Sequence, residues 1–141
     1  MADQSVSILP PVLNVEVYGG DDVTLPVTVT RGGEPLDLGA DHLSQIRAAS
    51  DSDTVLGVIG VTVVDGPAGQ ATLDISGTMT DGLLDTAGVT RTWKDGGVTY
   101  RQREFSGVYD WQSGTAANDD VLTICGGTFS VKGDVTREVA Q

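Results

Sequence analysis

Only one cysteine, Cys125, occurs in the 141 residues, so no disulfide can form within the chain and the fold must hold by packing alone. Histidine is equally scarce: His42 stands alone, and a catalytic triad built on it would need Ser and Asp partners that no motif marks. Basic residues number 8 against 20 acidic ones, a net charge of −12 that favours solubility and repels polyanions, so neither nucleic acid nor a membrane is an expected partner. No apolar run approaches the length of a bilayer span, and the start, Met1-Ala2-Asp3-Gln4-Ser5, carries neither the basic nor the apolar part of a signal peptide. Synthesis in a cytoplasm is the expectation. Aromatics are few, with two Trp, three Tyr and two Phe, so each one weighs on the core. Runs of Leu, Glu, Lys and Ala are missing, which argues against helices.

What the chain has is glycine, threonine, valine and aspartate in short alternating runs, the composition of strands and tight turns. The clearest run spans residues 22–31: Val23, Leu25, Val27 and Val29 share one face, Thr24, Pro26, Thr28 and Thr30 the other. Pro26 cannot donate to a ladder, which places that strand at an edge or a bulge. Residues 54–64 and 70–76 flank the turn Asp65-Gly66-Pro67-Ala68-Gly69 and predict a hairpin, with Ala71, Leu73 and Ile75 inward. Residues 105–112 and 121–131 predict an antiparallel pair that anchors the fold. Tyr109 and Trp111 share a face there, Ile124 and Phe129 enter the core, and Gly126-Gly127 marks a bulge or a close backbone approach. Val15 and Val17 alternate in residues 14–18, a short strand at 43–48 turns Ile46 inward, and residues 78–84 allow one helical turn capped by Thr78. Turn signals recur about every ten residues, so the expected fold is all-β, an antiparallel β-sandwich, with a small closed barrel as the competitor.

Candidates for chemistry are thin. Cys125 lies in a predicted core strand, away from any charge or helix start that would activate a thiol. The Asp21-Asp22, Asp51/Asp53 and Asp119-Asp120 clusters read as solvated turn carboxylates, because no calcium-loop pattern surrounds them. No glycine loop has phosphate-binding spacing, so no catalytic residue, metal site or cofactor is assigned and the chain is not read as an enzyme. Residues 89–104 stand out instead. They predict a second hairpin, with Asp95-Gly96 as the turn pair, carrying Arg91, Lys94, Arg101 and Arg103, half of all the basic residues. Trp, Tyr and Arg dominate interface hot spots. Trp93, Lys94, Tyr100, Arg101 and Arg103 are therefore the candidate partner-binding residues. The competing reading has Trp93 and Tyr100 capping the core. A carbohydrate-binding module stacking sugars on Trp93, Tyr100 and Trp111 is an alternative from a different class.

The order of the pieces resembles a known family. Residues 10–21 open with Pro10-Pro11 and close on Gly19-Gly20-Asp21; the Thr/Val strand, Gly33-Glu34-Pro35-Leu36-Asp37-Leu38 and Gln45-Ile46-Arg47-Ala48 follow. Residues 63–73, Gly107-Val108-Tyr109-Asp110-Trp111-Gln112 and residues 127–136 complete it. This is similar to small immunoglobulin-like structural proteins of tailed bacteriophages, including the N-terminal domain of baseplate upper proteins. The resemblance implies an immunoglobulin-like sandwich over residues 14–137, an extended N-terminal arm at 1–13 and a C-terminal tail at 138–141. Where family members pass directly from the helical turn to the Tyr-Asp-Trp strand, this chain inserts a hairpin at residues 86–104. The implied function is that of a virion structural protein, a minor tail or baseplate-type subunit, with capsid decoration of the phage head as the alternative. Its implied partners are other virion proteins (tail, baseplate or major capsid protein), with a homo-oligomer also open.

Overall fold

A computed structural model describes residues 12–113 and 122–139. The chain forms β1 (Val15–Tyr18), β2 (Val23–Thr28), β3 (Thr30–Arg31), β4 (Glu34–Pro35), β5 (His42–Arg47), β6 (Gly57–Asp65), β7 (Gln70–Ile75), α1 (Gly77–Ala87), β8 (Val89–Asp95), β9 (Val98–Ser113), β10 (Leu122–Lys132) and β11 (Thr136–Val139). The N-terminal arm through residue 11 and the Asp119-Asp120 pair lie outside the described residues. Val12 and Leu13 already belong to the sheet: Val12 bridges Gly126, and the Leu13 N–H donates to the Gly126 carbonyl at 2.9 Å.

The main strand order is β1-β10-β9-β5-β6-β7-β2, and β6 serves both layers of a sandwich. Its first residues, 57–59, pair with β5, and residues 60–65 pair with β7. One layer is therefore β1-β10-β9-β5 and the other β7-β2, joined through β6 in a barrel-like wrap. The end strands β1 and β2 do not pair with each other among the described residues. Alternation does the rest: Ile46, Leu73, Phe129 and Val131 have no exposed surface, and Trp111 keeps 1%. Fully burying a side chain of this kind stabilises the fold by about 1.5–3 kcal/mol. Tyr109 meets Phe129 edge-on, with ring centroids 6.2 Å apart, in the middle of that core.

Several expectations are met in altered form. Pro26 does sit on an edge strand, since among the described residues β2 pairs with β7 alone, and Val23, Leu25, Val27 and Val29 are only partly buried. That strand also ends early: Thr30–Arg31 leaves it to pair with Glu34–Pro35 across Gly32-Gly33, both at positive φ. The β1–β10 pair is parallel, not antiparallel, and aligns Val15 with Phe129 and Val17 with Val131 so that all four side chains point inward. The bulge in β10 falls between Thr123 and Cys125, which makes Ile124 the extra residue and lets both Ile124 and Cys125 be buried. Gly127 supplies the close approach: a Cβ there would stand 2.5 Å from the Leu13 carbonyl oxygen.

The expected single helical turn is an eleven-residue helix, and its cap is Ser76 rather than Thr78. Glycine and threonine give α1 poor intrinsic propensity, so its support comes from elsewhere in the fold. The Asp22 carboxylate accepts from the Gly77 N–H at 2.8 Å, and the buried Thr80 hydroxyl accepts from the Gly20 N–H at 3.2 Å while donating to the Gly77 carbonyl. Leu83 and Leu84 then bury one face against the sandwich.

Candidate partner-binding surface

The segment after α1 is a hairpin whose turn is Gly96-Gly97, not Asp95-Gly96. Asp95 pairs with Val98, and both glycines take positive φ, 59° and 82°. Nothing lies within 4 Å of a Cβ built at either, so glycine serves the backbone conformation here and not a lack of space. The hairpin is no separate insert ending at residue 104. Its second strand is the first half of β9, which continues without a break into the core through Phe105, Tyr109 and Trp111. Gly107 permits this continuity, since a Cβ there would collide with the Arg47 carbonyl and lie 2.7 Å from the Phe105 ring. On the far side of β9, β11 pairs through Thr136 opposite Arg101 and Val139 opposite Val98. It runs past the expected boundary at residue 137. The result is a three-stranded ribbon, β8-β9-β11, rooted in the sandwich.

Two bonds fix the root. The Gln102 side chain, buried, donates to the Gly133 carbonyl at 2.9 Å, and the Gly133 N–H donates to the Arg103 carbonyl at 2.8 Å. Away from the root β8 is in solvent: between Thr90 and Gly97 every residue except the half-buried Trp93 is exposed, while Val98, Thr99 and Tyr100 of β9 are half-buried. The register sets Trp93 directly opposite Tyr100. Their rings stack with centroids 5.5 Å apart and planes at 13°, and the Arg91 guanidinium lies 5.1 Å from the centre of the indole. Arg91 reaches Glu104 at 3.7 Å, and the same face continues to the Lys132–Glu16 pair at 2.9 Å. The bond to Glu16, assisted by its charge, raises the pKa of the exposed Lys132 ammonium.

The five expected partner-binding residues do not share one surface. Alternation puts Trp93 and Tyr100 on one face of the ribbon and Lys94, Arg101 and Arg103 on the other. Arg103 is bound to Asp85 of α1 at 2.8 Å, where Asp81, Asp85, Arg101 and Asp134 line a groove of about 410 Å³ between ribbon and helix. Arg91, absent from the expected set, belongs with the aromatics. Its place two residues before Trp93 on a strand was the available signal. Trp111 is buried and cannot join Trp93 and Tyr100 in a sugar-stacking platform.

The reactive residue types are held in structural roles. His42 opens β5. Its Nε2–H donates to the Gly39 carbonyl at 2.6 Å, while Nδ1 accepts from Trp111 Nε1–H at 3.1 Å, which defines the neutral tautomer. Burial raises the pKa of the Cys125 thiol, and burial beside that thiol raises the Tyr109 phenol above its ordinary range. The Tyr109 hydroxyl donates to the Leu13 carbonyl at 2.6 Å, tying the chain entering β1 to the core. Among the described residues, no group of three or more His, Cys, Asp and Glu is placed to hold a metal ion, and no helix is long and apolar enough to cross a membrane. No protein-family model matches the sequence, and no curated protein is significantly similar to it.

Proposed function

We propose that this chain is a structural subunit of a tailed-phage virion, of minor tail or baseplate type, acting by protein–protein contact and not by catalysis. The observation that carries the docking half is the Arg91–Trp93–Tyr100 cluster on a ribbon that leaves the sandwich. Stacked aromatics with an arginine are the side chains that supply most binding energy at protein interfaces. Here they stand on the one basic segment of an acidic molecule, where long-range attraction aids encounter. The virion half is drawn from the sequence resemblance.

We read the strand order as immunoglobulin-like, in keeping with the same proposal. β10, β9 and β5 form one layer and β6, β7 and β2 face them, the arrangement of GFC and DEB strands, while β1 adds a parallel first strand. Quantitative mass spectrometry of purified heads and tails, kept separate, tests the assignment. Stoichiometric recovery in tails is expected. Recovery in heads alone makes the chain a capsid-decoration protein, and absence from both removes the virion reading altogether.

A further inference from the structure

We infer that β8 pairs, antiparallel and centred on Trp93, with β8 of a second copy of this chain. The inference deepens the docking role of the ribbon and rests on it, naming one partner for its open edge. Among the described residues β8 pairs with β9 alone, so its other edge offers unpaired backbone groups over the seven residues Val89–Asp95. The two-residue turn makes Asp95–Val98 a hydrogen-bonded pair, and such pairs alternate along an antiparallel ladder. Asp95, Trp93 and Arg91 therefore turn their N–H and C=O groups toward β9, while Lys94, Thr92 and Thr90 turn theirs outward.

The side chains select the occupant and the register. Read in opposite directions, β8 is complementary to itself about Trp93. Thr92 then faces Lys94 of the second copy, and these outward-turned residues exchange backbone hydrogen bonds. Arg91 faces Asp95 of the second copy on both sides of the twofold axis, and the two Trp93 rings meet at its centre. Those three pairs occupy the non-hydrogen-bonded positions, where facing Cα atoms approach to about 4.5 Å and side chains interact most closely. Centring on Thr92 instead sets Asp95 against Val89 and forms no charge pair. The groups are available: the Arg91 side chain is 62% exposed despite its contact with Glu104, and Asp95 makes no ion pair among the described residues. In this register Lys94 meets a threonine hydroxyl and not another cation, so the edge lysine does not block pairing.

The test is sedimentation velocity of the purified chain under reducing conditions, over a range of protein and salt concentrations. A reversible dimer that weakens with salt is expected. Arg91→Asp and Asp95→Arg each turn two attractive pairs into two repulsive ones, raising the dimer Kd by about tenfold or more. The double exchange, Arg91→Asp with Asp95→Arg, restores the dimer. Thr92→Pro removes an outward N–H that the hairpin does not use, so it yields a monomer that melts as the wild type does at concentrations too low for dimer. A monomeric wild type overturns the inference, as does a double exchange that fails to restore pairing, or a dimer indifferent to Thr92→Pro. None of these results bears on recovery of the chain from tails, so failure of the pairing and failure of the virion assignment are told apart.

Discussion

Replacing both Trp93 and Tyr100 with alanine separates a docking ribbon from a piece of the core. The two rings stack on each other and under Arg91, half-buried on a ribbon that lies beyond the sandwich. An aromatic pair contributes about 0.5–1.5 kcal/mol beyond its area, and a surface cation–π contact about 0.5–1 kcal/mol. From these contacts the double variant is thus expected to lose about 1–2.5 kcal/mol of folding stability. Phe129→Ala, which removes a ring with no exposed surface, is expected to cost about 3–5 kcal/mol. Urea unfolding followed by far-UV circular dichroism, with an unchanged m-value, measures both on one scale. A double-mutant cycle over Trp93 and Tyr100 isolates the stacking, expected at about 1 kcal/mol. A loss for the double variant equal to that of Phe129→Ala refutes the reasoning, since it makes the ribbon part of the cooperative core.

Leu25→Ala is expected to cost less than Phe129→Ala, about 1–2 kcal/mol, because Leu25 sits on the edge strand and is only partly buried; the same urea titration ranks them. Gly107→Ala forces a methyl group onto the Arg47 carbonyl and the Phe105 ring, and should lower stability by about 1–3 kcal/mol in a thermal melt. Cys125 should react slowly with a thiol reagent until the chain unfolds, and rapid labelling of the native protein contradicts its buried placement. The raised pKa of Cys125 also fixes the sign of a pH effect. The native state favours the neutral thiol, so its contribution is complete below the ordinary value of 9.0 and is lost as pH climbs through the raised folded value. Cys125→Ala should flatten that part of the alkaline stability loss, leaving the share of Tyr109, whose phenol is shifted in the same direction.

Much of the fold was legible because period-two alternation reports a half-buried strand directly. Ile46, Leu73, Ile75, Tyr109, Trp111 and Phe129 all reach the core by that rule. Alternation is silent about partners, so the parallel β1–β10 pair, which depends on which distant strand lies beside Val15 and Val17, could not be read from spacing. The helix was underestimated because glycine and threonine carry a poor propensity, and bonds that anchor its first turn join it to Asp22 and Gly20, more than fifty residues away in the chain. The bulge was placed at the glycines, whereas Ile124 takes it two residues earlier, a shift set by the pairing with Trp111. At the candidate surface, a turn at Asp95-Gly96 would set Trp93 opposite Val98; the turn at Gly96-Gly97, one residue later, brings Trp93 opposite Tyr100, a meeting the sequence reading missed. The separation of Lys94, Arg101 and Arg103 onto the opposite face follows from the same parity, which a list of basic residues overlooks.

The claim that the ribbon docks this subunit onto a particle is tested most directly by co-sedimentation with phage particles assembled without the protein. Wild-type chain is expected to sediment with the particles, while the Trp93→Ala, Tyr100→Ala variant, folded by circular dichroism, stays in the supernatant, its affinity reduced about thirtyfold or more as for a hot-spot truncation of about 2 kcal/mol. Equal sedimentation of the folded variant and the wild type contradicts the account.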